Sequence, residues 1–484
     1  MKQTEPRLHT GIRNLDKILY GGIPNYELTI LAGQPGSGKT TLALQVMFKN
    51  ASPETPAIIF QTLSEPTAKT LRYLKQFSFF DPKKLEDGSI TFIDLGEILR
   101  SKGLELAVDL LMSHVKKIKP SFVVIDSFKV FEDLASDREN LRKFSYEVAI
   151  NLMAWECTTF FLGEFSESDI QTNPLFSIID GIIVLKVRLE SGEHQRFIQV
   201  IKMRGTDHSR DEHSFAINAE GVEIYAPRVT IIRKPGSDLT VPGKGPRRAQ
   251  IGISKLDDLL GEGIPYGSSV LVSGVAGTGK TLLLLEFIYR GAKEFGEKGV
   301  FFSFEETKER IIANGKGMGW DIEGEIKKGN IEIIFIPQPD ILVEKHLLMM
   351  SECISKLKAK RIAIDSSSVF VHKITDPQIV REKIFQLATL VQMAQAIGFF
   401  ASDIPYGSMK ISRFGVEETV VDGIILLTAS NDEKDLKRER FIEIYKLRNT
   451  GHQSGRHKML IGDSGIVIQP SIRKKAKKVT RRKS

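Results

Sequence analysis

Gly33-Gln34-Pro35-Gly36-Ser37-Gly38-Lys39-Thr40, followed by Thr41, decides how this 484-residue chain is read, because it returns as Gly274-Val275-Ala276-Gly277-Thr278-Gly279-Lys280-Thr281, followed by Leu282. Both stretches fit the phosphate-loop pattern of spaced glycines closing on Lys and Thr. Glycine lets consecutive backbone N–H groups turn inward around phosphate oxygens, and the helix that follows presents its positive end. Lys39 and Lys280 are placed to reach the β- and γ-phosphates. Thr40 and Thr281 offer a hydroxyl to Mg²⁺.

Each loop is preceded by an apolar run and followed by an amphipathic one. Leu28-Thr29-Ile30-Leu31-Ala32 reads as a buried strand and Thr40 to Lys49 as a helix. Further strands are expected at 57–60, 122–125, 159–162 and 181–185, with a helix from Glu139 to Trp155. Continuous apolar strands alternating with helices argue for a mostly parallel sheet covered on both faces. The motifs repeat in register. Gly11-Ile12 and Gly252-Ile253 stand 241 residues apart, as do Gly22-Ile23-Pro24 and Gly263-Ile264-Pro265. Ile125-Asp126-Ser127 returns at an offset of 239 and Lys202-Met203-Arg204 at 244. Such a long register means a duplicated domain and not a solenoid, whose period is far shorter. Pro and Gly crowd the stretch around 234–246, which reads as a linker. The expected organisation is a first domain at 1–235, a linker at 236–247, a second domain at 248–470 and a tail at 471–484.

Asp126 and Asp365 each close an apolar strand, where a carboxylate can hold Mg²⁺ through its water shell. Hydrolysis also needs a group that orients or deprotonates the attacking oxygen. Glu305 and Glu306 follow the apolar strand 300–302, whereas the matching place in the first half holds Ser64 and Glu65.

Composition narrows the class further. Hydrophobic residues make up 41% and charged residues 26%, which suits a folded globular chain. With two cysteines, Cys157 and Cys353, a disulfide framework or a cysteine zinc site is not expected, and a reducing cytoplasm fits. No apolar run nears the roughly 18 residues of a membrane helix. Lys and Arg number 68 against 60 acids, but the last fourteen residues hold eight basic side chains and no acid. The body is therefore charge-balanced, and nucleic-acid binding is not expected except through this tail. The nine histidines form no metal pair flanking a Glu, and His208, His213, His452 and His457 read as surface residues.

With paired phosphate loops, strand-end Asp residues, Glu305-Glu306 and two Lys-x-Arg segments in place, the chain resembles the KaiC family of circadian-clock kinase/ATPases from about Leu8 to Pro470. The resemblance implies two tandem RecA-like P-loop NTPase domains of α/β class. It implies a homohexamer of two stacked rings, with ATP and Mg²⁺ at subunit interfaces. In that family a Lys-x-Arg segment reaches the neighbour's γ-phosphate. Lys202 and Arg204 match in the first half, and Lys446 and Arg448 in the second, where Asn449 replaces the usual Gly. The resemblance makes the first domain a slow ATPase that binds a KaiB-like partner and the second an autokinase, with Glu305 as its base. The acceptor pair falls on Glu418 and Thr419, so Thr419 is the one candidate acceptor and Glu418 imitates a phosphorylated serine. The family's tail carries a loop and peptide gripped by the activator KaiA. Here a short basic run stands instead, so KaiA-type regulation is not expected. The competing reading is a RecA/RadA-like DNA-dependent ATPase, which shares the loops and ring. No aromatic-plus-basic track for single-stranded DNA stands out in its favour.

Overall fold

The computed structural model describes residues 6–62, 66–102, 104–134, 138–173, 175–190, 193–226, 240–241, 244–261, 263–408, 410–431 and 438–469. Ser64, Glu65 and the basic tail lie outside them. The chain divides into two compact units, Met1–Ala226 and Pro227–Ser484. Within the stretch expected as a linker, Thr240–Val241 and Lys244–Pro246 pair as short antiparallel strands.

The first unit holds one nine-stranded sheet. Its strands in chain order are β1 (Leu28–Gly33), β2 (Ala57–Gln61), β3 (Ile90–Asp94), β4 (Phe122–Asp126), β5 (Thr158–Gly163), β6 (Gly181–Glu190), β7 (Glu193–Met203), β8 (Glu212–Asn218) and β9 (Gly221–Tyr225). They lie in the order β9-β8-β7-β6-β1-β5-β4-β2-β3, parallel from β6 to β3. From β6 to β9 the chain meanders antiparallel.

The second unit repeats this plan. Its strands are β10 (Ser269–Gly274), β11 (Gly299–Ser303), β12 (Ile331–Phe335), β13 (Arg361–Asp365), β14 (Ile397–Asp403), β15 (Gly423–Asn431), β16 (Arg438–Leu447), β17 (Arg456–Gly462) and β18 (Gly465–Ile468). Their order is β12-β11-β13-β14-β10-β15-β16-β17-β18. Both units thus have the tandem RecA-like α/β architecture expected from the sequence.

The apolar runs are continuous because each strand feeds two cores. On β1, Leu31 joins one cluster while Ile30 and Ala32 join the other. On β11, Phe301 faces one core and Val300 and Phe302 the opposite one. Each fully buried side chain of this size contributes about 1.5–3 kcal/mol of burial, so polar substitution at either parity would open a core. His457, expected at the surface, is only 7% exposed, because β17 turns it inward between its neighbours. Among the described residues no helix is long and apolar enough to cross a membrane.

The topology positions the loops. β1 and β10 lie inside their sheets, each between two parallel neighbours, and end at the carboxyl edge, where open α/β sheets bind ligands. Helix α1 (Lys39–Asn50) starts directly after the first loop and α2 (Lys280–Phe295) after the second. Both helices begin with a left-handed glycine, Gly38 and Gly279. Gly38 sits at φ 102°, where a side chain is strained, and a Cβ there would also come within 2.7 Å of the Ile217 terminal methyl.

Candidate functional site

The two loops present the same donors. Gly36 and Gly277 adopt positive φ, and at Gly36 no atom lies within 4 Å of a Cβ position. Ser37 and Thr278 are buried at the base, and Gly33 and Gly274 close the strands behind them. Thr40 and Thr41 sit half-buried in the first turn of α1. Thr281 and Leu282 sit likewise on α2, where the Leu282 side chain packs on the core and leaves only its backbone N–H for a ligand.

Behind each loop stands the strand-end carboxylate. Thr40 Oγ1 donates to Asp126 Oδ2 at 2.7 Å. In the second unit Thr281 makes the same bond to Asp365. A hydroxyl and a carboxylate already in contact, at the foot of a glycine loop, form a donor set that suits Mg²⁺ with a triphosphate. Burial pushes the Asp365 carboxyl up to about 7, the Thr281 bond pulling it down and the charges of Glu305 and Asp403 pushing it further up. Such a group keeps its charge best when a cation is beside it.

The loop lysines differ. Lys39 Nζ donates to the carbonyls of Gly33 and Gln34 at 2.8 and 3.0 Å. Burial lowers its pKa, while Glu164 and Asp126 raise it. Lys280 Nζ donates to the carbonyls of Gly274 and Val275 at 2.9 and 3.2 Å and also pairs with Asp403 Oδ1 at 2.8 Å. Asp403 belongs to β14, whose register sets it directly beside Gly274. Burial works against its charge, but Lys280 prevails and holds the carboxyl below the ordinary range.

Glu305 follows β11 and reaches this group. Ser366 Oγ donates to Glu305 Oε1 at 3.2 Å. Burial, and then the Asp403 charge, raise the Glu305 pKa, a direction that suits a proton acceptor. Glu306 turns away, accepting from Asn314 at 2.9 Å and pairing with Arg310 at 3.7 Å. Sequence reasoning missed Asp403, Ser366 and Ser368. The signal was available, since Glu164 and Asp403 both end the apolar strand after their Asp, at an offset of 239.

The Lys-x-Arg segments lie elsewhere in their own units. Lys202 pairs in register with Ile182, and Ile182 with Ile30, three residues before Gly33. Lys446 pairs with Ile424, and Ile424 with Leu271, three residues before Gly274. Three strand residues span about 10 Å, so each basic pair sits at the sheet edge opposite its own loop. There Lys202 donates to the carbonyls of Phe176 and Ile179, and Arg204 to those of Ser177 and Ile178 and to Asp180. Lys446 likewise holds the carbonyls of Glu418 and Val421 at 2.8 Å, and Arg448 Nη2 that of Thr419 at 3.3 Å. Burial lowers the pKa of both lysines, helped by the adjacent arginine. Gly205 and Asn449, which follow the pairs, are both left-handed. Asn is a residue that tolerates this conformation, which explains the exchange.

Glu418 and Thr419 lie on a short helix, Glu417–Val420. The Thr419 hydroxyl is exposed and donates to Val416 O at 2.7 Å. Glu417 is wholly buried and accepts from Ser412, at 2.8 Å, and from the N–H groups of Phe414 and Val416. The single Ser412 proton is shared between Glu417 and Glu418. The turn carrying Thr419 is thereby fixed from both sides.

A family model of the KaiC ATPase matches the chain twice, over residues 8–229 and 249–473. The circadian clock oscillator protein KaiC of Parathermosynechococcus lividus is 26% identical over 482 residues, covering 97% of this chain and 86% of that protein. The circadian clock protein KaiC3 of a Synechocystis species is 27% identical over 484 residues, covering 96% and 92%. The KaiC of a Nostoc species is 26% identical, covering 96% and 90%.

Proposed function

We propose, for a chain that belongs to the KaiC family of ATPases, that both units bind Mg-ATP between adjacent subunits of a homohexameric double ring and that the second unit also phosphorylates Thr419. The observation that carries this reading is the placement of each Lys-x-Arg pair at the sheet edge opposite its own phosphate loop. A pair about 10 Å along the strands from its own loop is useful only to a loop on another copy. A contact between opposite edges is head-to-tail, the kind of contact that makes a ring when its rotation closes. Exposed apolar side chains on helix Arg138–Ala154, among them Tyr146, Ile150 and Met153, offer a surface for such contacts.

In this mechanism the glycine loop and Lys39 or Lys280 orient the triphosphate. Thr40 with Asp126, and Thr281 with Asp365, hold Mg²⁺, which neutralises phosphate charge when bound. Glu305 takes the proton from the attacking oxygen, and Glu65 is assigned that task in the first unit. Lys202, Arg204, Lys446 and Arg448 stabilise charge developing on a neighbour's phosphate. Gly33, Gly36, Ser37, Gly38 and Thr41 line one cradle, and Gly274, Gly277, Thr278, Gly279 and Leu282 the other. A KaiB-like partner on the first unit and a regulatory role in a clock or stress response extend the reading.

Native mass measured with and without Mg-ATP, with ³²P transfer followed in the same sample, tests it. A sixfold mass that depends on nucleotide, and label that vanishes in Thr419→Ala, are expected. A monomer at saturating Mg-ATP refutes the ring, and undiminished label in Thr419→Ala refutes the acceptor.

A further inference from the structure

Lys280 and Glu305 stand at the two ends of one run of polar contacts, in which the two serine hydroxyls, with one proton each, bond outward to the two carboxylates and touch each other without a proton between them. Glu305 Oε1 accepts from Ser366 Oγ at 3.2 Å, Ser366 and Ser368 hydroxyls lie 3.0 Å apart, and Ser368 Oγ donates to Asp403 Oδ2 at 3.1 Å. Asp403 Oδ1 then meets Lys280 Nζ at 2.8 Å. The Asp403 backbone N–H donates to Ser368 Oγ at 3.2 Å, which holds that hydroxyl beside the carboxylate.

An ammonium has three donors. Lys280 has all three engaged, by Gly274 O, Val275 O and Asp403. Lys39 engages two carbonyls only among the described bonds, and Glu164 acts on it through charge alone. The counterpart of Ser368 at the 239-residue offset is Lys129, which pairs with Glu132 at 2.7 Å and continues no such run. The two cradles, alike in their glycines, therefore differ in whether the phosphate-binding lysine is free to receive a phosphate.

We propose that Asp403 is a latch on the second cradle: a positioning residue that occupies Lys280 until a triphosphate displaces it, and whose release is passed through Ser368 and Ser366 to Glu305. A phosphate oxygen must take the place of one of the lysine's three acceptors. The carboxylate is the acceptor to yield, since it shares the sign of the incoming ligand and sits on a side chain, whereas the carbonyls belong to the loop itself. Once displaced, Asp403 turns on its Ser368 bond, and the serine pair moves with it against Glu305. Nucleotide arrival and the setting of Glu305 become one event in the second unit and remain separate in the first. This rests on the proposed binding of ATP in the second cradle.

The test is equilibrium titration of the full-length protein with a fluorescent ATP analogue, with the first cradle disabled by Lys39→Ala. Asp403→Asn keeps the shape and removes the competing charge. It should tighten binding on the order of tenfold, the worth of one charge-assisted bond. Ser368→Ala leaves the charge but loosens its hold, and should tighten binding about two- to threefold. It gives a second reading should Asp403→Asn fail to assemble. In both variants kcat should fall while the apparent KM also falls, because Glu305 loses its setting. The same Asp403→Asn change made on Lys280→Ala should leave affinity unaltered. Unchanged or weaker binding in Asp403→Asn overturns the latch. So does equal tightening with and without Lys280, which would mark plain charge repulsion. A second unit that takes up no analogue in the Lys39→Ala background refutes the nucleotide reading itself, whereas affinity indifferent to Asp403 refutes only the latch.

Discussion

Change Arg448 to alanine in one preparation and Lys280 to alanine in another, and then let the two exchange subunits in equal amounts. Each parent lacks one half of every second-unit site. If the basic pair serves a neighbour, a mixed ring recreates a complete site wherever an intact loop from an Arg448→Ala subunit faces an intact arginine from a Lys280→Ala subunit. Random assembly gives that pairing at about a quarter of the boundaries, since each side is intact half of the time in a closed head-to-tail ring. The structure sets the alternative at zero: Lys446 is in register with Leu271, at the wrong end of β10 for its own loop. The parents alone should lose about 10³-fold or more of second-unit turnover, the worth of an arginine finger. Phosphate release after subtraction of the Lys280→Ala baseline, which retains the first unit, reads the result. Recovery near a quarter supports the assignment. A mixture no more active than the mean of its parents refutes it.

Three further outcomes are expected. Glu305→Gln should lower second-unit turnover about 10²–10⁴-fold, the usual worth of a general base, with nucleotide binding retained by filter assay. Arg361 is fully buried, with bonds to Glu297 at 2.7 Å and to the carbonyls of Ile251, Phe287 and Gln250. Arg361→Met takes the cation from that carboxylate, leaving it the Tyr266 hydroxyl, and unpairs those carbonyls, and should cost about 3–5 kcal/mol, read as a lower urea midpoint for the second unit. Burial holds the His346 imidazole down at about 4, and its Nδ1 accepts a bond from Leu342 N–H. The folded value lies below the unfolded one of about 6.5, so the stability it adds is complete above that pH and is lost as pH falls toward 4. Urea unfolding across that window should show a loss of up to about 3 kcal/mol that His346→Leu removes.

The parts legible in the sequence were those written in neighbouring residues. The glycine loops, their flanking strand and helix, the strand-end Asp residues and the duplication all depend on local spacing. So did the strand starts at Leu28, Ala57, Phe122 and Gly181, where apolar runs are unbroken because both sheet faces are covered. The strands β3, β7 and β8 were not singled out, because half-exposed strands mix polar and apolar residues without a sharp signature. Asp403 and Ser368 were missed for a different reason. The repeat marks Asp403 as a strand-end acid, but its meeting with Lys280, and that of Ser368 with Asp403, come from the side-by-side order of β13, β14 and β10, which chain spacing does not encode. The opposite-edge placement of Lys446 and Arg448 was equally invisible, since it needs a register.

A guanidinium or an ammonium can be in one place at a time. Lys446 and Arg448 now grip the carbonyls of Glu418, Thr419 and Val421. If they stretch across a boundary toward another copy, the turn beneath Thr419 loses its anchors in the same movement. Generosity to the neighbour and firmness at home then stand on opposite pans of one balance, and the hydroxyl of Thr419 is the pointer.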